Sequence, residues 1–334
     1  MNRNMIIMAL ILLVSCQERR HPEHQDDLIV GAMNVTATEG DTLFYDKVMK
    51  QLLEEAGPDW DIGRRMVLAG KMFLGTPYVA STLEVEGDEH LVINLLGVDC
   101  TTLVEYVTAM ALCSAGDRQG SAGDRQGSAG EQQGSAGDQQ NSVGDRQGPA
   151  GDRHGFGCFA RQLAELRYRG GMIDGYPSRL HYFTEWLKDN ERKGYIDIIS
   201  DEAGNRKLDT KVGFMTANPG SYRQLEEDAS LVYVMAGIEK WISAYDMRYI
   251  SRDQIDDIAP LINDGDIIAF VSDIEGLDVS HTGLAIFVDE RLHFLHASSR
   301  SQEVEITTVP LSEYLADSSR IPGILVARVK PVAD

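Results

Sequence analysis

The chain has 334 residues, of which 43% are hydrophobic and 25% charged, a composition that fits a globular protein of one or two domains. Its formal net charge is −21, from 31 basic and 52 acidic residues. Phosphate binding needs a concentrated basic face, so this balance excludes nucleic acid as a partner, and no apolar run approaches the ~20 residues that span a bilayer.

At the N-terminus Arg3 precedes the apolar run Met5 to Val14, in the order of an export signal and too short for a transmembrane helix. Leu13-Val14-Ser15-Cys16 follows and resembles a bacterial lipobox, in which the cysteine becomes the lipidated first residue after cleavage. The expectation is a signal peptide over residues 1–16 with Cys16 lipidated, a polar tether over 17–40, and a lipoprotein held by acyl chains on the periplasmic side of a bacterial membrane. A plain secretory signal with a chance cysteine is the alternative. One catalytic domain is expected from 41 to 334.

From Asp41 to Leu74 the pattern is helical twice, with Phe44, Val48, Leu52 and Leu53 on one face and Met66, Val67, Ala69, Met72 and Phe73 on another. Gly75-Thr76-Pro77-Tyr78 makes a turn, and Ser81 to Val92 reads as a hairpin or extended loop. Gly97-Val98-Asp99-Cys100 then opens a helix. Leu103, Val104, Val107, Met110 and Ala111 recur at threes and fours and give it one buried face. Asp99 is placed to cap it, which sets Cys100 in the first turn, where the helix dipole favours the thiolate.

A tandem heptapeptide repeat, Ser-Ala-Gly-Asp-Arg-Gln-Gly and near copies, fills 114–155. It offers almost no large apolar side chains to bury, so it reads as a disordered insertion without chemistry. Helices are expected over Phe159–Arg169, Leu180–Arg192 and Tyr222 to about Tyr245, then strands over 267–271, 282–288, 292–297 and 323–329. Helices first and antiparallel strands last make an α+β protein, a helical N-terminal half packed on a C-terminal sheet.

Ser280-His281-Thr282-Gly283 places a histidine at the entrance of a strand, with Gly283 and Ala285 on its own face leaving room for a helix bearing Cys100. His293 and His296 are three apart on the next strand, so only one of them can face the site. A thiol, an imidazole and a second polar ring can form a nucleophile, a base and an orienting group.

These residues resemble a known family. Asp99-Cys100-Thr101, Ser280-His281-Thr282-Gly283 and Phe294-Leu295-His296-Ala297-Ser298 look like the three motifs of NlpC-type cysteine peptidases, papain-like cell-wall hydrolases. Leu74-Gly75-Thr76-Pro77-Tyr78 is similar to a family segment whose tyrosine lies beside the nucleophile, and Asn263-Asp264-Gly265-Asp266-Ile267-Ile268 to its turn into the first central strand. Gly175-Tyr176-Pro177-Ser178-Arg179-Leu180-His181-Tyr182-Phe183 resembles the N-acetylmuramoyl-L-alanine amidase-like branch. Thr101 departs from the serine usual after the cysteine, and the repeat is unusual.

The resemblance implies a papain-like (NlpC-type) fold and cleavage of the bond between N-acetylmuramic acid and L-alanine in muropeptides, with no cofactor or metal. It implies Cys100 as nucleophile, His281 as base, His296 as its orienting partner, and the Cys100 N–H with Tyr78 as oxyanion donors. Arg179 is the candidate for a substrate carboxylate, Tyr182 and Ser280 are further substrate contacts, and Asp99 is a cap. Three alternatives stand beside this reading. The same site could cleave γ-D-glutamyl-diaminopimelate; Cys100, His281 and His296 could hold zinc; or the chain could bind wall fragments without turnover. With Cys16 lipidated and Cys100 catalytic, Cys113 and Cys158 remain as a candidate disulfide, the alternative being two buried thiols.

Overall fold

The computed structural model describes residues 26–30, 33–57, 59–116 and 154–331. The expected signal peptide with Cys16, and most of the repeat, lie outside the described residues.

Two strands come first, β1 (Asp26–Val30) and β2 (Met33–Ala37), antiparallel to each other. β2 also runs parallel to β3 (Leu91–Val92), which is all the strand that forms in the 81–92 segment. Val35 and Ala37 are buried, so part of the expected tether belongs to the folded body. A strand whose partner lies more than fifty residues away leaves little local signal.

Helix α1 (Glu39–Glu55) starts in a capping box: Thr38 Oγ1 accepts the Asp41 N–H, and the Asp41 carboxylate accepts the Thr38 N–H. Val48 and Leu52 point inward as expected, whereas Leu53 is exposed. α2 (Ile62–Met72) buries Met66 and Ala69. α3 (Cys100–Ala115) is buried along its whole length from Thr102 to Ser114 rather than on one face. A helix apolar all round belongs in a core, and its one carboxylate, Glu105, is matched from α4 (Phe156–Arg167), where Arg167 Nε donates to it at 2.7 Å. Arg167 also donates to the Val92 carbonyl at 2.6 Å, tying β3 to both helices.

The ends of the repeat segment meet. His154 Nδ1 donates to the Cys113 carbonyl at 2.8 Å, and the Tyr45 hydroxyl donates to the His154 carbonyl at 2.7 Å. The Cys113 and Cys158 side chains hydrogen-bond to each other as thiols; the expected disulfide is not formed.

α5 (Phe183–Arg192) is followed by β4 (Ile196–Ile198) and β5 (Arg206–Lys207). The single helix expected over 222–245 is two: a short turn at Arg223–Glu227, then α6 (Ala229–Ile242). Asp228 causes the break, because its side chain accepts the Ser230 N–H and starts a new helix instead of continuing the old one.

The remaining strands are β6 (Arg248–Ser251), β7 (Ile267–Val271), β8 (Val279–Val288), β9 (Arg291–Ser298), β10 (Glu303–Ile306) and, after α7 (Leu311–Ala316), β11 (Gly323–Val329). They form one sheet in the order β10-β9-β8-β7-β11-β6-β5, with β4 also on β11. Every pairing in it is antiparallel. Leu284, Ile286, Leu295 and Ala297 pack into the core around α3, while Phe270, Ala285, Phe294 and Val326 join Leu311 and Leu315 of α7 on the opposite face. The architecture is α+β, with a helical half against an antiparallel sheet.

Candidate active site

Asp99 caps α3 as read: its Oδ1 accepts the Thr102 N–H at 2.8 Å, and Thr102 Oγ1 accepts the Asp99 N–H at 2.9 Å. Such a cap contributes about 1 kcal/mol. It also fixes Cys100 at the first helical position, where backbone N–H groups have no intrahelical acceptor. The helix start is held to the sheet by Thr282 Oγ1, which donates to the Cys100 carbonyl at 2.8 Å.

The thiol is harder to ionise than its position suggests. Burial, and then the Asp99 carboxylate, push it up to about 11, against contacts from Thr282 and Thr101 that favour the thiolate. The loss of solvent and the adjacent acid leave the sulfur as a thiol at neutral pH.

His281 lies opposite Phe270 of β7, and its Nε2 is 2.7 Å from Nδ1 of His296 on β9. The two rings are perpendicular, with centroids 4.9 Å apart. Phe294 stacks on His296 at 4.8 Å. Gly283 makes this possible, but not by admitting a helix. A Cβ there would stand 2.7 Å from the Phe294 ring and 2.5 Å from the Leu295 carbonyl oxygen. Thus the missing side chain admits an aromatic ring from β9, and α3 approaches the other face, through Thr282 and Leu284.

Burial, and then His296, push His281 down to about 3; burial pushes His296 down to about 4, against the opposing pull of Glu305. Glu305 is the direct cross-strand partner of His296, and its Oε1 lies 3.7 Å from His296 Nε2, an atom that has no hydrogen-bond partner among the described residues. A carboxylate on that side favours the proton on Nε2 of His296. His296 Nδ1 is then an acceptor, His281 donates through Nε2, and the bare lone pair of His281 is on Nδ1. His293 is turned away, its Nδ1 donating to the Thr307 carbonyl at 2.8 Å.

Cys100 and His281 line one cavity of about 200 Å³, with Tyr182 and Ser280 from the expected set also on its walls. Tyr182 is fixed by α6: its hydroxyl donates to Glu239 at 2.7 Å and accepts the Met215 N–H at 2.8 Å. Tyr78 stands in the field of Cys100 and Asp99, and its phenol is held protonated, first by burial. Its backbone is clamped between Val98 and Gln302.

Arg179 is not on the cavity wall. It is 4% exposed, and its guanidinium is 2.6 Å from Glu84, 3.5 Å from Glu89 and 5.0 Å above the Tyr176 ring. Its charge is already matched inside the protein by Glu84 and Glu89.

Four residues not singled out from the sequence complete the surroundings: His181, Tyr222, Asp278 and Glu305. Asp278 takes the place of a missing local cap on α5. Its Oδ2 accepts from the Thr184 N–H at 2.8 Å and the Thr184 hydroxyl at 2.7 Å, and its Oδ1 accepts the Val279 N–H at 2.7 Å. The approach to β8 is thereby tied to the far wall of the cavity. Among the described residues, no group of three or more His, Cys, Asp or Glu side chains is arranged to hold a metal ion.

Comparisons with known proteins identify the chain's relatives. A family model described as N-acetylmuramoyl-L-alanine amidase-like matches residues 68–120 and 151–324, more than half of the chain and on both sides of the repeat. A crystal structure of an N-acetylmuramoyl-L-alanine amidase from Bacteroides uniformis is 34% identical, with a TM-score of 0.67, covering 80% of this chain and 99% of that one. A structure described as a putative xylanase from Bacteroides fragilis is 37% identical, with a TM-score of 0.64, covering 78% and 98%. A Legionella pneumophila protein at 20% identity and TM-score 0.58 shares the fold. No curated protein matches the chain. On the matched segments and the 34% identity over most of both chains, the protein belongs to the N-acetylmuramoyl-L-alanine amidase-like family.

Proposed function

We propose that the chain is a cysteine amidase of the papain-like, NlpC-type kind, cleaving the bond between N-acetylmuramic acid and L-alanine in small peptidoglycan fragments. The observation that carries this reading is the joining of Cys100 and His281 on one cavity wall, with His281 hydrogen-bonded at 2.7 Å to His296 behind it. The named activity of the Bacteroides uniformis relative supports the choice of bond.

Nδ1 of His281 takes the Cys100 proton as the sulfur attacks the lactyl carbonyl carbon. The resulting oxyanion faces the Cys100 N–H at the helix start, and one such donor contributes roughly 3–4 kcal/mol in other enzymes. Tyr78, whose phenol is held protonated beside the thiol, is the second donor. Collapse of the intermediate breaks the C–N bond, His281 returns the proton to the leaving amine, and an L-alanyl peptide departs. Water then hydrolyses the thioester, with His281 again as base, releasing the muramic acid carboxylic acid and restoring the thiol. His296 keeps Nδ1 of His281 free of its proton and stabilises the imidazolium that forms.

The chain is a lipoprotein in this reading, anchored through Cys16 on the periplasmic side of a bacterial membrane, where such fragments are met. Incubation with anhydro-muramoyl-tetrapeptide, read by mass, tests the bond. Release of the L-alanyl tetrapeptide is expected. Release of a muramoyl-dipeptide would assign the chain to γ-D-glutamyl-diaminopimelate cleavage, and an unchanged substrate would leave a binding protein.

A further inference from the structure

The cavity holds a third imidazole. His181 lies between the short turn at Tyr176–Ser178 and α5, and it lines the cavity with Cys100 and His281. Its Nε2 is 2.9 Å from the Tyr176 carbonyl oxygen. A carbonyl can only accept, so Nε2 carries the proton and Nδ1 has a bare lone pair. The Tyr176 ring, with its centroid 4.3 Å away, holds the imidazole plane. His181 is a wall residue of the cavity, and Nδ1 is its ring nitrogen with no hydrogen-bond partner among the described residues. That atom is not among the buried polar atoms sealed without a partner.

Three neighbouring polar groups on these walls are engaged within the protein. Tyr182 Oη both donates to Glu239 and accepts from Met215. Asp278 has taken three donors on its two oxygens. Thr282 Oγ1 is directed to the Cys100 carbonyl. Burial, and then the Arg179 guanidinium, keep the His181 ring neutral well below the usual imidazole range, so its lone pair stays available wherever the enzyme works.

We propose that His181 is a specificity-determining residue whose Nδ1 accepts a hydrogen bond from a neutral donor on the substrate, an amide N–H of the stem peptide or a hydroxyl of the sugar. The ligand class rests on the amidase reading above, while the acceptor role rests on the cavity geometry.

Two isosteres separate this from a structural role. His181→Gln keeps a donor at the Nε2 position for the Tyr176 carbonyl and takes the acceptor away from the Nδ1 position. His181→Asn keeps an acceptor near Nδ1 and removes the bond to Tyr176. In a Cys100→Ala background, calorimetry with anhydro-muramoyl-tetrapeptide should show His181→Gln weakening Kd about tenfold or more, the effect of one buried hydrogen bond, with Tm unchanged. His181→Asn should bind within about threefold of the parent, with a lowered Tm. Parental binding by the Gln variant, with weakened binding by the Asn variant, would overturn the proposal.

The free L-alanyl tetrapeptide identifies the donor: a penalty retained with it assigns a peptide N–H, and a penalty lost assigns a sugar hydroxyl. Turnover of the same probe by the wild-type enzyme reports on the amidase reading separately. Binding that depends on His181 without turnover leaves the acceptor role standing and removes the amidase. Turnover with the Gln variant unaffected does the reverse, and no binding to the Cys100→Ala parent together with no turnover by the wild type removes both.

Discussion

Nε2 of His281 and Nδ1 of His296 are 2.7 Å apart on adjacent strands, with their rings at right angles. Two neutral imidazoles at that distance share one proton, and the position of Glu305 behind His296 decides which ring donates it. His281→Ala should therefore lower kcat by about 10²–10⁴, the usual contribution of a positioned base. Glu305→Gln should lower kcat less, and leave KM and Tm nearly unchanged, because it alters only the preference for one tautomer. Steady-state kinetics on a single muropeptide would check both. An unaltered kcat in His281→Ala would remove that residue from the chemistry.

The thiol predicts its own titration. With the Cys100 thiol pushed up to about 11 by burial and Asp99, the rate of iodoacetamide alkylation should keep climbing from neutral pH into the alkaline range. In Asp99→Asn the climb should begin at lower pH, since one of the two causes is gone. A rate already at its plateau near neutrality would show a resting thiolate instead.

The imidazoles also bear on stability. In the unfolded chain they bind protons below about pH 6.5, whereas the folded protein resists until about 3 for His281 and about 4 for His296. Stability is thus fully present above ~6.5 and is lost as pH falls from there towards those values, where the unfolded state binds more protons. Between pH 7 and pH 5 the loss should be of the order of 1–2 kcal/mol per ring. Urea midpoints at the two pH values would measure it, and the drop should shrink in His296→Gln.

Arg167 and Glu105 are each almost fully buried and 2.7 Å apart between α3 and α4. Arg167→Met leaves a carboxyl without its cation in the core and should cost about 3–5 kcal/mol. Arg167→Met with Glu105→Leu should recover much of that, because no uncompensated charge remains. Chemical denaturation of the wild type, the two single variants and the double variant gives the coupling directly.

Much of this site is legible in the sequence because its signals are local. An acid before a cysteine at the start of an apolar run sets the cap and the helix entrance, and the period of two on 292–297 lets only one of His293 and His296 face the site, the family resemblance pointing to His296. What the sequence hides depends on distant pairing. Arg179 stands in a motif next to cavity residues, yet Glu84 and Glu89, some ninety residues earlier, turn it inward. Val35 sits in a polar-looking leader and becomes a core residue only when Leu91 arrives beside it. Gly283 permits close approach, but no periodicity says whether a helix or the Phe294 ring comes near. His181 is visible as a letter in a motif, and only the Tyr176 carbonyl shows which of its nitrogens is free.

The most direct test of the account is the mass of the protein caught during turnover of anhydro-muramoyl-tetrapeptide. Rapid acid quenching should reveal a species heavier by the anhydro-muramoyl group, carried on the peptide that contains Cys100 and missing in Cys100→Ala, while the L-alanyl tetrapeptide accumulates in solution. Full hydrolytic activity in the Cys100→Ala variant would contradict the account.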